Sequence, residues 1–198
     1  MGFKLIYSLS RMPARAGILE YMAASVLVSL EEYLATCYRP DKEYVDGELV
    51  ERFVGEHDHS YLQALISAFF ESRQTDLKIR TFTEQRVRLL DAVNENRYRI
   101  PDICVVRKPY QRERVLTHPP YLVVEILSPG DHTSETLRRV NDFARFGVTH
   151  IWIVEPAERK LFEADVSGIR EIAGNSGQLP EIGLTVDFNL FFQQLDED

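Results

Sequence analysis

The stretch IPDICVV at residues 100–106 and the stretch YLVVEILS at residues 121–128 decide the fold of this chain. Each is an apolar, β-branched run that contains one carboxylate, Asp102 in the first and Glu125 in the second. A lone carboxylate on an apolar strand is costly to desolvate, and a divalent cation bound by two of them offsets that cost. Taken singly, Asp102 also reads as a turn cap and Glu125 as the partner of an arginine. Together they favour a metal site on two neighbouring strands.

Length and composition predict one domain and exclude some functions. With 198 residues, of which 44% are hydrophobic, the chain can bury one substantial core. Its net charge of −8 argues against a protein that coats nucleic acid, but a metal held by carboxylates restores positive charge locally. Cys37 and Cys104 have no metal-ligand spacing, so we expect buried or free thiols in a reducing cytoplasm.

The amino-terminal residues differ in character from the rest. Residues 1–24 combine a short apolar run with Arg11, Arg15 and Glu20, which does not make a convincing signal peptide. We predict a weakly packed extension there, with Met22 reading like a natural start, and a single domain over residues 25–198. No run approaches the roughly 20 apolar residues of a membrane span.

The order of predicted elements indicates an α/β fold with a mixed sheet. Asp46-Gly47 is a strong hairpin signal, Ser29 is an N-cap, and Gly147 ends a helix. Pro101 is expected at the start of its strand or at a distortion, because it donates no ladder hydrogen bond. The predicted helices cover residues 30–34, 59–73, 134–146 and 190–195; the strands cover 42–53 (a hairpin), 78–82, 84–90, 99–106, 121–127, 151–154 and 160–165; residues 174–183 form a loop.

These motifs resemble a known family when they are taken in order. The segments KEYVDGELVE, FTEQRVRL, IPDICVV, PPYLVVEILSP and FARFGVTHIWIVEP are similar to the Uma2 family of the PD-(D/E)XK endonuclease-like superfamily, over roughly residues 29–195. The resemblance implies a restriction-endonuclease-like core, a mixed central sheet flanked by helices. It also implies that Asp102 and Glu125 ligate Mg²⁺, with Mn²⁺ as a substitute, and that a homodimer cleaves DNA with metal-activated water.

Other acids and a histidine are candidates for the same site. Glu84 is placed on the strand before Asp102, either as a further metal-side or water-orienting carboxylate or as a solvated strand residue. Glu43 matches a family acid that reaches the metal or has a structural role. His59 opens the first long helix, where the helix dipole disfavours its protonated form; it is a candidate for contacting phosphate or water. His57 is expected in an exposed loop.

The sequence departs from the superfamily at its lysine. The residue two positions after Glu125 is Leu127, and the alternative lysine position on the following helix is Arg139. Arginine holds phosphate and stabilises negative charge, but it does not act as a general base. The other interpretation of Arg138 and Arg139 is a solvated helix face.

Two function classes follow from this departure. One is a Mg²⁺-dependent DNA endonuclease with Asp102, Glu125, Arg139, Glu84 and His59 at its site. The other is a catalytically impaired protein of the same fold that binds nucleic acid or protein. The basic residues of the loop between the two acidic strands are candidates for contacts with the nucleic-acid backbone beside the site: Lys108, Arg112 and Arg114.

Overall fold

The computed structural model describes residues 27–52, 55–89, 97–131 and 133–197. The predicted extension at residues 1–24 and the start at Met22 lie outside this part of the chain. Among the described residues, no helix has both the length and the apolar character that crossing a bilayer requires. Cys37 is exposed and Cys104 is buried, and both are free thiols, as expected.

Twelve strands and four α-helices make up the described structure. Most predicted elements are present, with bounds shifted by one to three residues. The helices are α1 (Leu30–Ala35), α2 (His57–Glu71), α3 (Thr133–Phe146) and α4 (Asn189–Leu195). The strands are β1 (Lys42–Val45), β2 (Glu48–Glu51), β3 (Ile79–Thr83), β4 (Val87–Leu89), β5 (Arg97–Arg99), β6 (Ile103–Arg107), β7 (Leu122–Ile126), β8 (His150–Glu155), β9 (Lys160–Asp165), β10 (Gly168–Glu171), β11 (Ser176–Leu179) and β12 (Leu184–Asp187).

A six-stranded mixed sheet forms the centre of the fold, in the order β10-β9-β8-β7-β6-β3. β7 and β8 are parallel and are connected through α3, whereas the other neighbours are antiparallel. The predicted hairpin partnership of β8 and β9 is confirmed. This architecture confirms the predicted α/β class with a mixed sheet.

Both faces of the central sheet are covered, which explains why its strands are almost continuously apolar. On one face, alternate strand residues such as Val124 and Trp152 pack with α2 and α4. On the other face, Val123 and Ile153 pack with Phe143 of α3. Glu125 follows Val124 on β7, so strand alternation directs it to the face that α3 covers.

The prediction of one strand over residues 99–106 is wrong, because this run forms two strands that belong to different sheets. Pro101 divides the run: β5 ends at Arg99 and joins a four-stranded antiparallel sheet, β2-β1-β5-β4, while β6 begins at Ile103 in the central sheet. Proline cannot donate to a ladder, so the chain changes sheets there. Asp102 therefore lies at the junction of the two sheets.

The structure also corrects several predicted boundaries. Residues 84–86 precede β4, so Glu84 lies in the turn after β3 and not on a strand. The predicted loop at residues 174–183 contains β11, which pairs with β12 in a small separate sheet. β10 and β12 have no counterpart in the sequence prediction. β10 is exposed along its whole length, so it lacks the alternating apolar pattern that signals a strand.

Candidate functional site

Asp102 and Glu125 lie side by side at one end of the central sheet. The β6–β7 register that pairs Ile103 with Val124 brings them to adjacent positions. The backbone N–H of Ile126 donates to Oδ2 of Asp102 over 2.8 Å. Each residue is only 3% exposed. The structure thus brings together the two carboxylates that the sequence predicts as a pair.

Asp102 is held by cationic and polar groups from two other segments. Arg52, which follows β2, donates to Oδ1 over 2.7 Å, and Nε2 of His59 lies 3.2 Å from Oδ2. Gln63 of α2 donates to the Asp102 carbonyl over 2.9 Å. Burial opposes ionisation of Asp102, but His59 and the charges of Arg139 and Arg52 outweigh it and hold the pKa below its usual value. Asp102 is therefore an anion in the folded protein.

Glu125 has a different electrostatic environment. Burial raises its pKa strongly, the charge of Arg139 opposes that rise, and the negative charges of Asp102 and Glu43 add to it. Nη2 of Arg139 lies 2.7 Å from Oε2, whereas Oε1 is buried without a hydrogen-bond partner. Groups of the protein therefore pair with only one of the two carboxylate oxygens of Glu125.

Glu43 on β1 is fully buried and joins this cluster. Its Oε1 accepts the Ile100 N–H over 2.8 Å and lies 3.6 Å from Nε of Arg139. Its Oε2 accepts Nη1 of Arg99 over 2.6 Å. Burial opposes ionisation of Glu43, but Arg139, Arg99 and the Ile100 N–H lower its pKa overall. Both oxygens of Glu43 thus have partners in the protein, as do both oxygens of Asp102.

Arg99 is a buried cation that sequence reasoning missed. Besides Glu43, it binds Asp142 of α3 with Nε and Nη2 over 2.9 and 2.7 Å, and Glu135 with Nη1 over 2.8 Å. It ties β1, β5 and α3 together and so fixes the helix that carries Arg139. An arginine between Tyr98 and Ile100 in a strand was the available signal, because a cation there needs an acidic partner.

The remaining predicted residues lie in various places around this cluster. His59 is the third residue of α2, and its Nδ1 is buried without a hydrogen-bond partner. Glu84 is about half exposed and lies 3.6 Å from Arg52, and its φ of +52° is uncommon for a residue with a side chain. The structure therefore places it at the edge of the cluster, linked to Asp102 through Arg52. His57 is exposed, as predicted, but it begins α2 and does not lie in a loop.

The basic residues that the sequence suggested for the site differ in their exposure and in their position. Arg139 is 17% exposed at its side chain and contacts Glu125, whereas Arg138 is 73% exposed, so the solvated interpretation holds for Arg138 alone. Lys108 follows β6 at the end remote from Asp102, roughly 20 Å away at about 3.3 Å per residue. The expectation that it lies beside the site is wrong. The Arg114 carbonyl accepts a hydrogen bond from the side chain of Gln85, the residue after Glu84, and both Arg112 and Arg114 are exposed.

The carboxylates of Asp102 and Glu125 fit a cation such as Mg²⁺, which retains several water molecules as ligands when it binds to a protein. Within the described ranges, no group of three or more His, Cys, Asp and Glu side chains is arranged to hold a metal ion. Mg²⁺ commonly takes only one or two protein carboxylates and fills its shell with water and phosphate oxygens. The unpartnered Oε1 of Glu125 beside ionised Asp102 matches that requirement.

Comparison with known proteins identifies the family of this chain and a solved structure of similar fold. The family model Uma2, described as "Putative restriction endonuclease", matches residues 30–166. The chain therefore belongs to the Uma2 family, and the predicted resemblance is confirmed. A crystal structure from Anabaena variabilis ATCC 29413, described as "a putative nuclease belonging to DUF820", is similar in fold with a TM-score of 0.71 at 20% identity, over 85% of this chain and 99% of that one. No curated protein sequence matches the chain.

Proposed function

We propose that this protein is a Mg²⁺-dependent DNA endonuclease, in which Asp102 and Glu125 hold the ion. The observation that carries the proposal is the pair of buried, adjacent carboxylates, of which Glu125 has an oxygen without a protein partner. Membership of a family of restriction-endonuclease type supports a nucleic-acid substrate. Bound Mg²⁺ would polarise the scissile phosphate and lower the pKa of a water molecule.

The surrounding residues have distinct roles in this proposal. Arg52 and the Ile126 N–H fix the Asp102 carboxylate, and Nε2 of His59 orients its second oxygen. Arg139 contacts Glu125 from α3, and in this proposal it would stabilise negative charge that develops on phosphate. Glu84 is proposed to act through Arg52, since Nη1 of Arg52 lies 3.6 Å from its carboxylate.

Arg139 cannot supply the general base that a lysine at this position would supply, because its guanidinium remains protonated. The charges of Glu125, Glu43 and Asp102 raise its pKa further, against the opposing effect of burial. Arg139 is therefore assigned to binding phosphate and stabilising its charge, and a bound metal ion would supply the activation of water. We expect turnover to be slower than with a lysine.

A specific contact favours the second candidate function, a binding module without catalysis. Arg139 neutralises Glu125 over 2.7 Å, as a structural ion pair would. If the pair is structural only, the protein binds nucleic acid or protein without cutting it. Homodimerisation and a cytoplasmic location stay predictions under either function.

Cleavage of supercoiled plasmid in Mg²⁺ or Mn²⁺ tests the proposal. We expect nicked or linear product from the wild type, and none from Asp102→Asn, which keeps the shape of the side chain but removes its charge. Asp196→Asn is the matched control, because Asp196 is an exposed aspartate at the C-terminal cap of α4, where it pairs with Arg159. Absence of cleavage by the wild type, together with absence of metal binding in calorimetry, would leave the binding module as the function.

A further inference from the structure

A cleft of about 580 Å³ opens beside the carboxylate pair, on the face of the central sheet that α3 covers. Its apolar lining includes Leu127, Ile153 and Phe162 from three neighbouring strands or their ends. Leu137 of α3 and Ile169 of β10 also line it, and they are 49% and 36% exposed. Large apolar side chains exposed around a concave surface of this volume are typical of a ligand pocket.

The cleft is continuous with the candidate site. His59, which contacts Asp102, lines it, and so does Leu127, two residues beyond Glu125. The cleft also shares Asp131 and Thr136 with the small opening above Arg139. A group bound in the cleft would therefore lie next to a phosphate held at the carboxylates.

The polar groups of the cleft are unsuited to phosphate but suited to hydrogen-bond donors. Its lining contains no lysine or arginine among the residues that the structure describes, and it contains four carboxylates: Glu56, Asp58, Asp131 and Glu155. An anion would be repelled there, whereas an amino group would find acceptors. At the rim, the ring of His57 stacks on Tyr61 with centroids 6.2 Å apart and planes at 25°.

We propose that this cleft binds one unpaired nucleobase of the substrate strand, with preference for bases that carry an exocyclic amino group. A base offers flat apolar faces for van der Waals contact with Leu137 and Ile169, and an unpaired base can be held between apolar side chains in this way. Cytosine and adenine present an amino donor that thymine lacks. Leu127, where the superfamily has a lysine, forms part of this apolar surface.

The inference rests on the proposed nuclease function, but binding of free nucleosides tests it separately. Saturation-transfer NMR with cytidine, adenosine and thymidine at millimolar concentration is performed on the full chain without metal. We expect cytidine and adenosine to bind more tightly than thymidine. Leu137→Glu and Ile169→Glu place a charge on the apolar surface from two different elements, and each should weaken cytidine binding about tenfold or more. Val166→Glu is the matched control, since Val166 is 73% exposed beside β9, outside the cleft.

Plasmid cleavage by the same proteins separates the two hypotheses. Cleavage by the wild type without nucleoside binding, or with equal binding of thymidine, would overturn the nucleobase cleft and leave the nuclease standing. Nucleoside binding that Leu137→Glu and Ile169→Glu abolish, without cleavage by any protein, would support the cleft and refute the nuclease. Equal loss of binding in Val166→Glu would also count against the cleft.

Discussion

Nη2 of Arg139 lies 2.7 Å from Oε2 of Glu125, so the chain itself supplies a cation to a carboxylate that we assign to a metal ion. The other oxygen of Glu125 has no protein partner. Because each oxygen can be used separately, the arginine and a metal can occupy Glu125 together.

Removing Arg139 should destabilise the fold, and a metal should restore part of the loss. Arg139→Ala leaves Glu125 and Glu43 facing each other without the intervening cation, and breaking a buried pair in this way costs about 3–5 kcal/mol. Urea denaturation measures the free energy of unfolding. Addition of Mn²⁺ should raise the stability of Arg139→Ala more than that of the wild type, because the ion takes over the compensating charge.

Arg138→Ala is the matched control for this experiment. Arg138 is the preceding residue on α3 and is largely exposed, so its loss should change stability by no more than about 0.5 kcal/mol. Equal effects of the two substitutions would show that the pair with Glu125 contributes little.

The substitution Arg139→Lys tests whether the protein is a catalyst. A large gain in plasmid cleavage would exclude the binding-module function, whereas no gain would be consistent with it.

Gly55→Ala should disturb Asp102 indirectly, by displacing the ring of His59. A Cβ at residue 55 would lie 2.5 Å from Nδ1 of His59, so the imidazole must move away from its contact with Asp102. Loss of a group that orients a metal ligand typically costs about 10- to 100-fold in activity. Initial rates of plasmid nicking measure the effect.

A double-mutant cycle identifies the cause of that loss. In the background of His59→Ala the ring that the new methyl group would strike is gone, so Gly55→Ala should have little further effect on the rate. Additive losses from the two substitutions would mean that Gly55 acts by another route.

Gly177 lies against the single tryptophan of the chain, and filling that position should destabilise the protein. A Cβ at Gly177 would be 2.6 Å from Cζ2 of Trp152, a residue of β8 that is buried in the core with the apolar residues of α2. Overpacking of this kind costs about 1–3 kcal/mol. Trp152 fluorescence during urea unfolding reports both the packing and the stability. Gln178→Ala, at the exposed neighbouring position, should leave the unfolding midpoint almost unchanged.

Stability at acidic pH should depend on Glu181. Tyr121 and Nε2 of His150 hydrogen-bond its carboxylate over 2.7 and 2.9 Å, and these bonds, with that of Tyr121 first, lower its pKa from 4.5 to about 2. Because the folded-state pKa is depressed, the stabilisation is present above the unfolded pKa and is lost as pH falls from 4.5 towards 2.

Thermal unfolding of Glu181→Gln tests this pH dependence. The glutamine variant should be less stable than the wild type at neutral pH, and the difference in melting temperature should shrink as pH falls through that window. A difference that is independent of pH would show that the charge of Glu181 does not contribute.

Elements with strong local signals could be predicted from the sequence, and elements formed by distant partners could not. The Asp46-Gly47 hairpin, β7 and α3 depend on a turn dipeptide, an apolar run and a helical period, and all three are present. The apolar run is divided at Pro101 because its two halves join different sheets. No local sequence pattern indicates which sheet a strand joins. The sequence did not predict β11, because it is only four residues long and contains Gly177, a residue type with low strand propensity.

The candidate site shows the same distinction. Asp102, Glu125 and Arg139 could be identified from motif order, and the structure brings them together. The bonds of Arg99 to Glu43 and Asp142 join residues 56 and 43 positions apart, and Arg52 lies 50 positions from Asp102. Such pairings follow from the meeting of two sheets and a helix, so they become visible only in the folded chain.

Soaking a crystal in Mn²⁺ shows whether Asp102 and Glu125 together bind a metal ion. We expect a peak in the anomalous difference map between Asp102 and Glu125, with Oε1 of Glu125 as a ligand, and its disappearance in Asp102→Asn. A fully occupied Arg139–Glu125 pair with no anomalous peak at the two carboxylates would contradict the metal-dependent mechanism.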